Sequence, residues 1–228
     1  VQGPSLPLYG LDIETDTSCG GLDPRLGGIV AVAVSTPTGT VVLRDVEADM
    51  LVSLDELLGG LPPGIVVTWH GAGFDLPFIA DRAALNGSPV GLELQLDASI
   101  DVRRPLAGHA GAYRARWAAH THLDAYQLFR DVGRAVMLSC SLKSMARFFG
   151  LEPVEVDRAR IHDLADDDLS AYVASDAELA RKLACLRWHA AGRHIDALHW
   201  RPETQGPVAP QGPMTGAVTS GLHLAGTR

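Results

Sequence analysis

Four carboxylates stand where this sequence would otherwise place apolar or capping residues. Residues 8–14 read LYGLDIE, a short strand-like run. In a strand, positions i and i+2 share a face, so Asp12 and Glu14 lie side by side while Leu11 and Ile13 turn into a core layer. Two like charges so close repel, and one has its pKa raised unless a cation sits between them. The competing reading is a strand end running out into solvent. Asp176 argues more strongly. The helical stripe Leu169, Tyr172, Asp176, Leu179, Leu183, Leu186 advances by three or four residues at each step, as a core-facing helix requires. A lone carboxylate in that stripe would cost several kcal/mol, so it needs a metal, a hydrogen bond from a tyrosine or an arginine partner. Asp75 follows a glycine-containing turn, residues 70–74 (HGAGF). Taken alone it reads as a helix N-cap. Oxygen-only ligands suit hard cations, Mg²⁺ or Mn²⁺, and no His/Cys set with zinc spacing occurs.

The elements that must position these groups alternate strand and helix. Residues 8–14, 28–36 (GIVAVAVST) and 40–44 read as strands, the last two joined by the turn Pro37-Thr38-Gly39 into a hairpin. Residues 50–58 have helical periodicity, ended by Gly59-Gly60. Residues 65–69 (IVVTW) read as a buried strand, 75–85 as a helix closed by Asn86-Gly87, and 93–97 as a further strand. Residues 101–122 read as a loop or a loose helical insertion. From Asp124 on the chain is mostly helical, with one helix over 141–149 and a longer one from about 167 to 200. This order predicts an α/β domain over residues 1–200, a mixed central sheet with helices on both faces. Residues 201–228, rich in Gly and Pro, read as a disordered tail.

Composition limits the remaining choices. At 46% apolar and 20% charged residues the chain is an ordinary globular mixture. No apolar run approaches the roughly 20 residues of a membrane span. The start carries no signal-peptide pattern, and its first residue, Val1, fits a trimmed chain or a fragment. Cys19, Cys140 and Cys185 are odd in number with no CxxC spacing, which suits a reducing, cytoplasmic setting. A net charge of −8 counts against electrostatic gripping of long duplex DNA. It leaves room for an enzyme that holds a few nucleotides through metal ions.

Three motifs in order then resemble a known family. Leu11-Asp12-Ile13-Glu14-Thr15 resembles the first motif of the DEDD exonuclease superfamily. The 70–75 segment (HGAGFD) resembles its second, with His70 where an Asn commonly stands. Tyr172-Val173-Ala174-Ser175-Asp176 resembles its third, in the tyrosine form. Asp124, in the 122–126 segment, and Ser141-Leu142-Lys143 look like the intervening stretch in exonucleases similar to the family B polymerase proofreading domain. The resemblance covers roughly residues 8–190. It implies a ribonuclease-H-like fold with a five-stranded mixed sheet flanked by helices. It also implies two divalent cations, Mg²⁺ or Mn²⁺, bridged by Asp12. Glu14 and Asp176 would complete one ion's ligands and Asp75 would serve the other. Such pairs sit roughly 3.5–4 Å apart and clamp the attacking and leaving oxygens of an in-line displacement.

On this resemblance Tyr172 orients the attacking water, being a poor base with a free pKa near 10. Thr15, His70 and Phe74 contact substrate, Phe74 by stacking on a terminal base. Phe74 is equally readable as core packing, a core aromatic is the lesser reading of Tyr172, and Asp124 reads as a structural carboxylate or one that supports the ligands from behind. The arginines Arg103, Arg104, Arg114 and Arg116, interleaved with Tyr113 and Trp117, suggest a substrate rim or a solvated loop. The implied activity is 3′→5′ exonucleolytic hydrolysis at a nucleic-acid 3′ end, single-stranded DNA before RNA, in the service of an unidentified polymerase or repair partner. The alternatives are a 3′→5′ exoribonuclease with the same apparatus, and a nucleic-acid-binding module of the same fold that has lost turnover.

Overall fold

The computed structural model describes residues 4–19 and 22–191. Its centre is a seven-stranded sheet ordered β3-β2-β1-β4-β7-β6-β5. Strand β1 (Leu8–Thr15) lies between β2 (Ile29–Thr36), antiparallel, and β4 (Ile65–Thr68), parallel. Strand β3 (Gly39–Leu43) closes the first hairpin, and β7 (His120–Asp124) runs parallel to β4. Strands β1 to β4 fall where the sequence places them, whereas β7 occupies the end of a stretch expected to be loop or helical.

The two further strands, β5 (Leu92–Leu96) and β6 (Tyr113–Trp117), extend the β7 edge as an antiparallel pair. Here the expectation of a loop or helical insertion over 101–122 is corrected. Tyr113, Ala115 and Trp117 point inward while Arg114 and Arg116 point out. That is a period-2 strand whose polar face carries arginines. Tyr113 and Trp117 are therefore core residues rather than rim aromatics. The Tyr113 hydroxyl meets His109 Nδ1 at 2.8 Å, and Trp117 Nε1 donates to Asp55 Oδ1 at 2.7 Å.

Helices cover both faces. Helices α1 (Glu47–Gly60) and α2 (Asp75–Asn86) pack on the side lined by Leu11, Ile13, Val32 and Val34. Helices α3 (Tyr126–Ala135), α4 (Leu142–Phe148) and α5 (Asp166–Leu186) cover the other. Helix α2 ends as the sequence suggests, on Gly87 in the left-handed conformation. Helix α5 stops at Leu186, where Arg187 leaves helical geometry. Leu186 is half exposed and does not belong to the buried stripe, which instead includes Val173, Ala177, Ala180 and Ala184. Residues 188–191 are helical again after the break at Arg187, and the rest of the longer helix expected to residue 200, together with the tail over 201–228, lies outside the described residues. No helix among the described residues is long and apolar enough to cross a membrane.

The packing of α5 on β1 decides where the functional groups meet. Leu8 belongs to the core under α3–α5 and Leu11 to the core under α1 and α2. Gly10, Asp12 and Glu14 therefore share the α5 face. A Cβ on Gly10 would lie 1.9 Å from the Ala177 carbonyl oxygen. Only glycine allows the helix so close. Ala31 and Ala33 on β2 lie under the same helix and keep the crossing shallow.

Candidate active site

Asp12, Glu14 and Asp176 come together at the crossing of β1 and α5. Each offers an oxygen within 4.8 Å of the others. Glu14 and Asp176 are buried, and Asp12 keeps partial access to solvent. A bulge between Glu14 and Thr15 breaks the register with β2 at this point. Such bulges bend a strand and re-aim its side chains. Thr15, just past the bulge, is buried beside them.

Asp75 joins from the neighbouring strand. Strand β4 runs parallel to β1, so their C-terminal ends open on the same edge, and α2 starts a few residues beyond β4. The N-cap position belongs to Phe74, while Asp75 is the first helical residue and is buried. The capping reading of Asp75 is thus set aside. Its charge reaches Asp12. The Asp12 pKa is raised well above the ordinary carboxylate value, first by burial, then by Asp176, Glu14 and Asp75, with Lys143 opposing.

Lys143 is the partner that sequence reasoning left open for Asp176. It sits in the first turn of α4, whose N-cap Ser141 accepts from the Ser144 amide. Its ammonium makes an ion pair with Asp176 and lies 4.3 Å from the centre of the Tyr172 ring. Tyr172, one turn before Asp176, is buried beneath it. Lys143 is one of only two lysines in the sequence. That scarcity, beside a capped helix start, was the signal available.

The turn of residues 70–74 is held from below by Asp124. Asp124 Oδ1 accepts from the amides of His70 at 2.9 Å and Tyr126 at 3.1 Å. Burial pushes its pKa up to about 6 against these backbone donors. This carboxylate is therefore structural, and it fixes the loop that carries Asp75. His70 adopts φ 69°, a left-handed conformation in which Asn and His are among the better tolerated residues. The backbone thereby explains why an Asn-type position accepts His. The His70 ring is exposed at its rim but lies 3.7 Å, centroid to centroid, from Tyr126. Loss of water on that side lowers its pKa. Phe74 is half-buried against Phe78 and shows its remaining surface to a groove beside the site.

The arginines expected at the rim divide. Arg114 pairs with Asp97 at 2.7 Å and Arg116 donates to the Ala118 carbonyl, so both are tied to the β5–β6 hairpin. Arg103 and Arg104 line the groove. The buried histidines serve the sheet. His120 bridges the Gly64 amide and the Leu58 carbonyl. His122 meets Thr68 at 2.7 Å, and burial drives its pKa down to about 3.

Several hard oxygens converge here at a partly accessible point, with like charges that burial forces together. This donor set fits divalent cations of the Mg²⁺ type. Held between Asp12, Glu14 and Asp176, a cation would relieve the repulsion that raises the Asp12 pKa.

Comparison with known proteins bears on the fold and the family. No curated protein sequence matches the chain. Among solved structures it is similar to the family B DNA polymerase of the hyperthermophilic archaeon Pyrobaculum calidifontis. The TM-score is 0.57 at 18% identity, over 84% of this chain and 25% of the polymerase. At that identity the likeness concerns the fold, which is the ribonuclease-H-like arrangement with two added strands, and the chain spans a quarter of the polymerase's length. The model of the DNA polymerase family B exonuclease domain matches residues 12–145, from Asp12 past Asp75, Asp124 and Lys143. Tyr172 and Asp176 lie beyond that match and enter the site by the packing of α5 alone. The chain belongs to the family B DNA polymerase exonuclease domain family.

Proposed function

We propose that the protein is a two-metal-ion 3′→5′ exonuclease that releases nucleotides from the 3′ end of single-stranded DNA. The observation that carries this reading is the convergence of Asp12, Glu14 and Asp176 within 4.8 Å, from a strand and a helix far apart in sequence. Asp12, Glu14 and Asp176 would hold one cation, with Asp12 shared and Asp75 serving a second. Bound ions supply Lewis acidity, an acidified water and charge neutralisation at the phosphate.

The chain's own residues do the rest. Asp124 clamps the 70–74 turn and so fixes Asp75 relative to β1. Lys143 neutralises part of the Asp176 charge and holds that carboxylate from the α4 side. Tyr172, positioned one helical turn before Asp176, orients the attacking water rather than taking its proton, since a phenol is a weak base at neutral pH. Phe74 and His70 present aromatic surface to the terminal base, and Thr15 lies at the bulge where the 3′ end would rest. The partner that would supply such ends is a DNA polymerase or a repair assembly.

The test is a time course with 5′-labelled single-stranded and duplex DNA and RNA in Mg²⁺, Mn²⁺ or EDTA. A metal-dependent ladder shortening from the 3′ end of single-stranded DNA is expected, lost in Asp176→Ala. Activity that survives Asp176→Ala, or silence on every substrate with both metals, would overturn the reading. Preferential shortening of RNA would reassign the substrate.

A further inference from the structure

A largely buried ion pair lies away from the carboxylates and joins the elements that carry them. Arg82 on α2 meets Glu47, the first residue of α1, with side chains 17% and 14% exposed. Arg82 Nε donates to Glu47 Oε1 at 2.8 Å, and Nη2 donates to Oε2. Asn86, one turn further along α2, donates to the same Oε2 at 2.8 Å. Burial works to raise the Glu47 pKa, but the donors from Arg82, the Ile29 amide and Asn86 outweigh it and hold the carboxyl below its ordinary value. The pair is therefore ionic at neutral pH.

Two of its contacts leave the helices. Glu47 Oε1 accepts from the Ile29 amide at 2.6 Å, and Arg82 Nη1 donates to the Pro24 carbonyl at 2.8 Å. Both backbone groups lie where the chain returns to β2. Thr15 pairs with Ile29 and Glu14 with Ala31, so Val30 is the extra residue of the bulge. Val30 and Ala31 accordingly both pack toward α5, while Ile29 and Val32 face α1 and α2. The ion pair thus grips the first residue of β2, on the rung beside Glu14.

The same arginine belongs to the helix that carries Asp75. Residues 75 and 82 lie nearly two turns apart on α2, about 10 Å along its axis. Asp124 fixes the turn before α2, and a helix held only there can pivot. Asp12, Glu14 and Asp176 are set by the packing of α5 on β1, which the ion pair does not touch. Asp75 alone comes from α2. An apolar pair would hold α1 on α2 as well or better, because desolvating two charges cancels most of what their attraction returns. What the ions add is a directed hold on two backbone groups of the β1–β2 connection.

We propose that Glu47 and Arg82 are positioning residues, a strut that keeps α2 in register with the bulge and so sets Asp75 against Asp12 and Glu14. The proposal rests on the two-ion reading of these carboxylates. It makes the cation served by Asp75, and not the one held by Glu14 and Asp176, the one that depends on the strut.

The experiment is Mn²⁺ titration by calorimetry, with Asp75→Ala marking the binding event that needs Asp75. Glu47→Leu/Arg82→Met keeps the helix contact and removes the hold on the backbone. It should melt in EDTA at or above the wild-type temperature. Metal-free hydrogen exchange should be faster at Ile29. The event lost in Asp75→Ala should weaken about 10–100-fold, as when a group that orients a metal ligand is removed, while the other keeps its wild-type affinity. Exonuclease rate should fall at limiting Mn²⁺ and recover in excess. Arg82→Lys keeps the charge, but a point-like ammonium cannot serve both Glu47 oxygens and the Pro24 carbonyl. It should weaken the same event by a smaller factor, and it decides the matter if the double variant does not fold.

Wild-type Mn²⁺ binding in the folded variants would overturn the strut. So would equal weakening of both events, which marks general loosening, or a wild type whose Mn²⁺ binding does not depend on Asp75. If the wild type shows the expected dependence yet shortens no nucleic acid, the exonuclease reading fails and the strut stands. If it is an active exonuclease and neither variant alters Mn²⁺ binding, the strut fails and the exonuclease reading stands.

Discussion

Replacing Gly10 by alanine adds one methyl group at the point where β1 and α5 touch. The new Cβ would meet the Ala177 carbonyl oxygen at 1.9 Å and the Arg181 Cβ at 3.1 Å. The nearer neighbour is helix backbone, which cannot rotate away like a side-chain tip. Restoring a contact of 3.0 Å requires α5 to retreat by at least about 1.1 Å. Asp176 sits one residue before Ala177 and retreats with it. Overpacking of this kind costs about 1–3 kcal/mol, which for a chain of this size lowers Tm by about 2–12 °C. The larger effect falls on catalysis, because a misplacement of about 1 Å can cost about a hundredfold in rate. The control is Gly59→Ala in α1, where a Cβ meets nothing within 4 Å. It should be neutral or stabilising by up to about 1 kcal/mol. Exonuclease rate under saturating Mn²⁺ and thermal melting are measured on both variants. A Gly10→Ala protein with wild-type Tm and rate would refute the argument that close approach of α5 builds the site.

Two further perturbations probe the buried charges. Lys143→Met removes the cation paired with Asp176, and breaking a buried pair costs about 3–5 kcal/mol. In EDTA the variant should melt well below wild type, and Mn²⁺ should recover much of the difference. Equal melting temperatures in EDTA would show that the pair carries no net stability. Asp124 should give a signature in pH. Its folded pKa of about 6 exceeds the ordinary 3.8, so the folded state holds the proton more tightly than the unfolded state. The contribution of Asp124 to stability is fully present below pH 3.8, falls as pH rises through the window to about 6, and above it is lower by about 3 kcal/mol. Asp124→Asn keeps an oxygen for the His70 and Tyr126 amides but cannot ionise. Its stability relative to wild type, from urea unfolding, should therefore rise between pH 4 and 7, and a constant difference would count against a buried, raised carboxylate.

Much of the site was legible because burial and charge conflict within the sequence itself. Asp176 interrupts a helical stripe, and Asp12 and Glu14 alternate with Leu11 and Ile13. These conflicts are local, so a single sequence displays them. Two classes of feature were hidden. The first is a partner across the fold. Lys143 stands 33 residues before Asp176, and only the docking of α4 on α5 brings them together. The second is a strand disguised by its exposed face. The arginines of β6 mark its solvent side, yet read without the pairing to β5 they resemble a charged loop. Likewise Asp75 satisfies a local rule for helix caps, and its placement one residue inside α2 appears only once the turn of residues 70–74 is built. Gly10 belongs to neither class. A glycine in a strand commonly marks a close backbone approach, and here that approach is α5.

The arrangement sets stability against function at Asp12. Three other carboxylates and burial all disfavour its charge, and Lys143 alone opposes them. An isosteric Asp12→Asn change removes one of the repelling charges and leaves the Lys143–Asp176 pair in place. Metal-free Asp12→Asn should therefore be more stable than wild type by about 1 kcal/mol, the ordinary return from relaxing a functional site, or about 2–4 °C in Tm. The same change removes the ligand common to both proposed ions. The increase in Tm that Mn²⁺ gives the wild type should then shrink or vanish, along with hydrolysis. The two melting curves must cross: the variant is the more stable in EDTA and the wild type in Mn²⁺. A wild type that is the more stable in both would mean that Asp12 is held by protein partners and that no cation is needed to hold these carboxylates together.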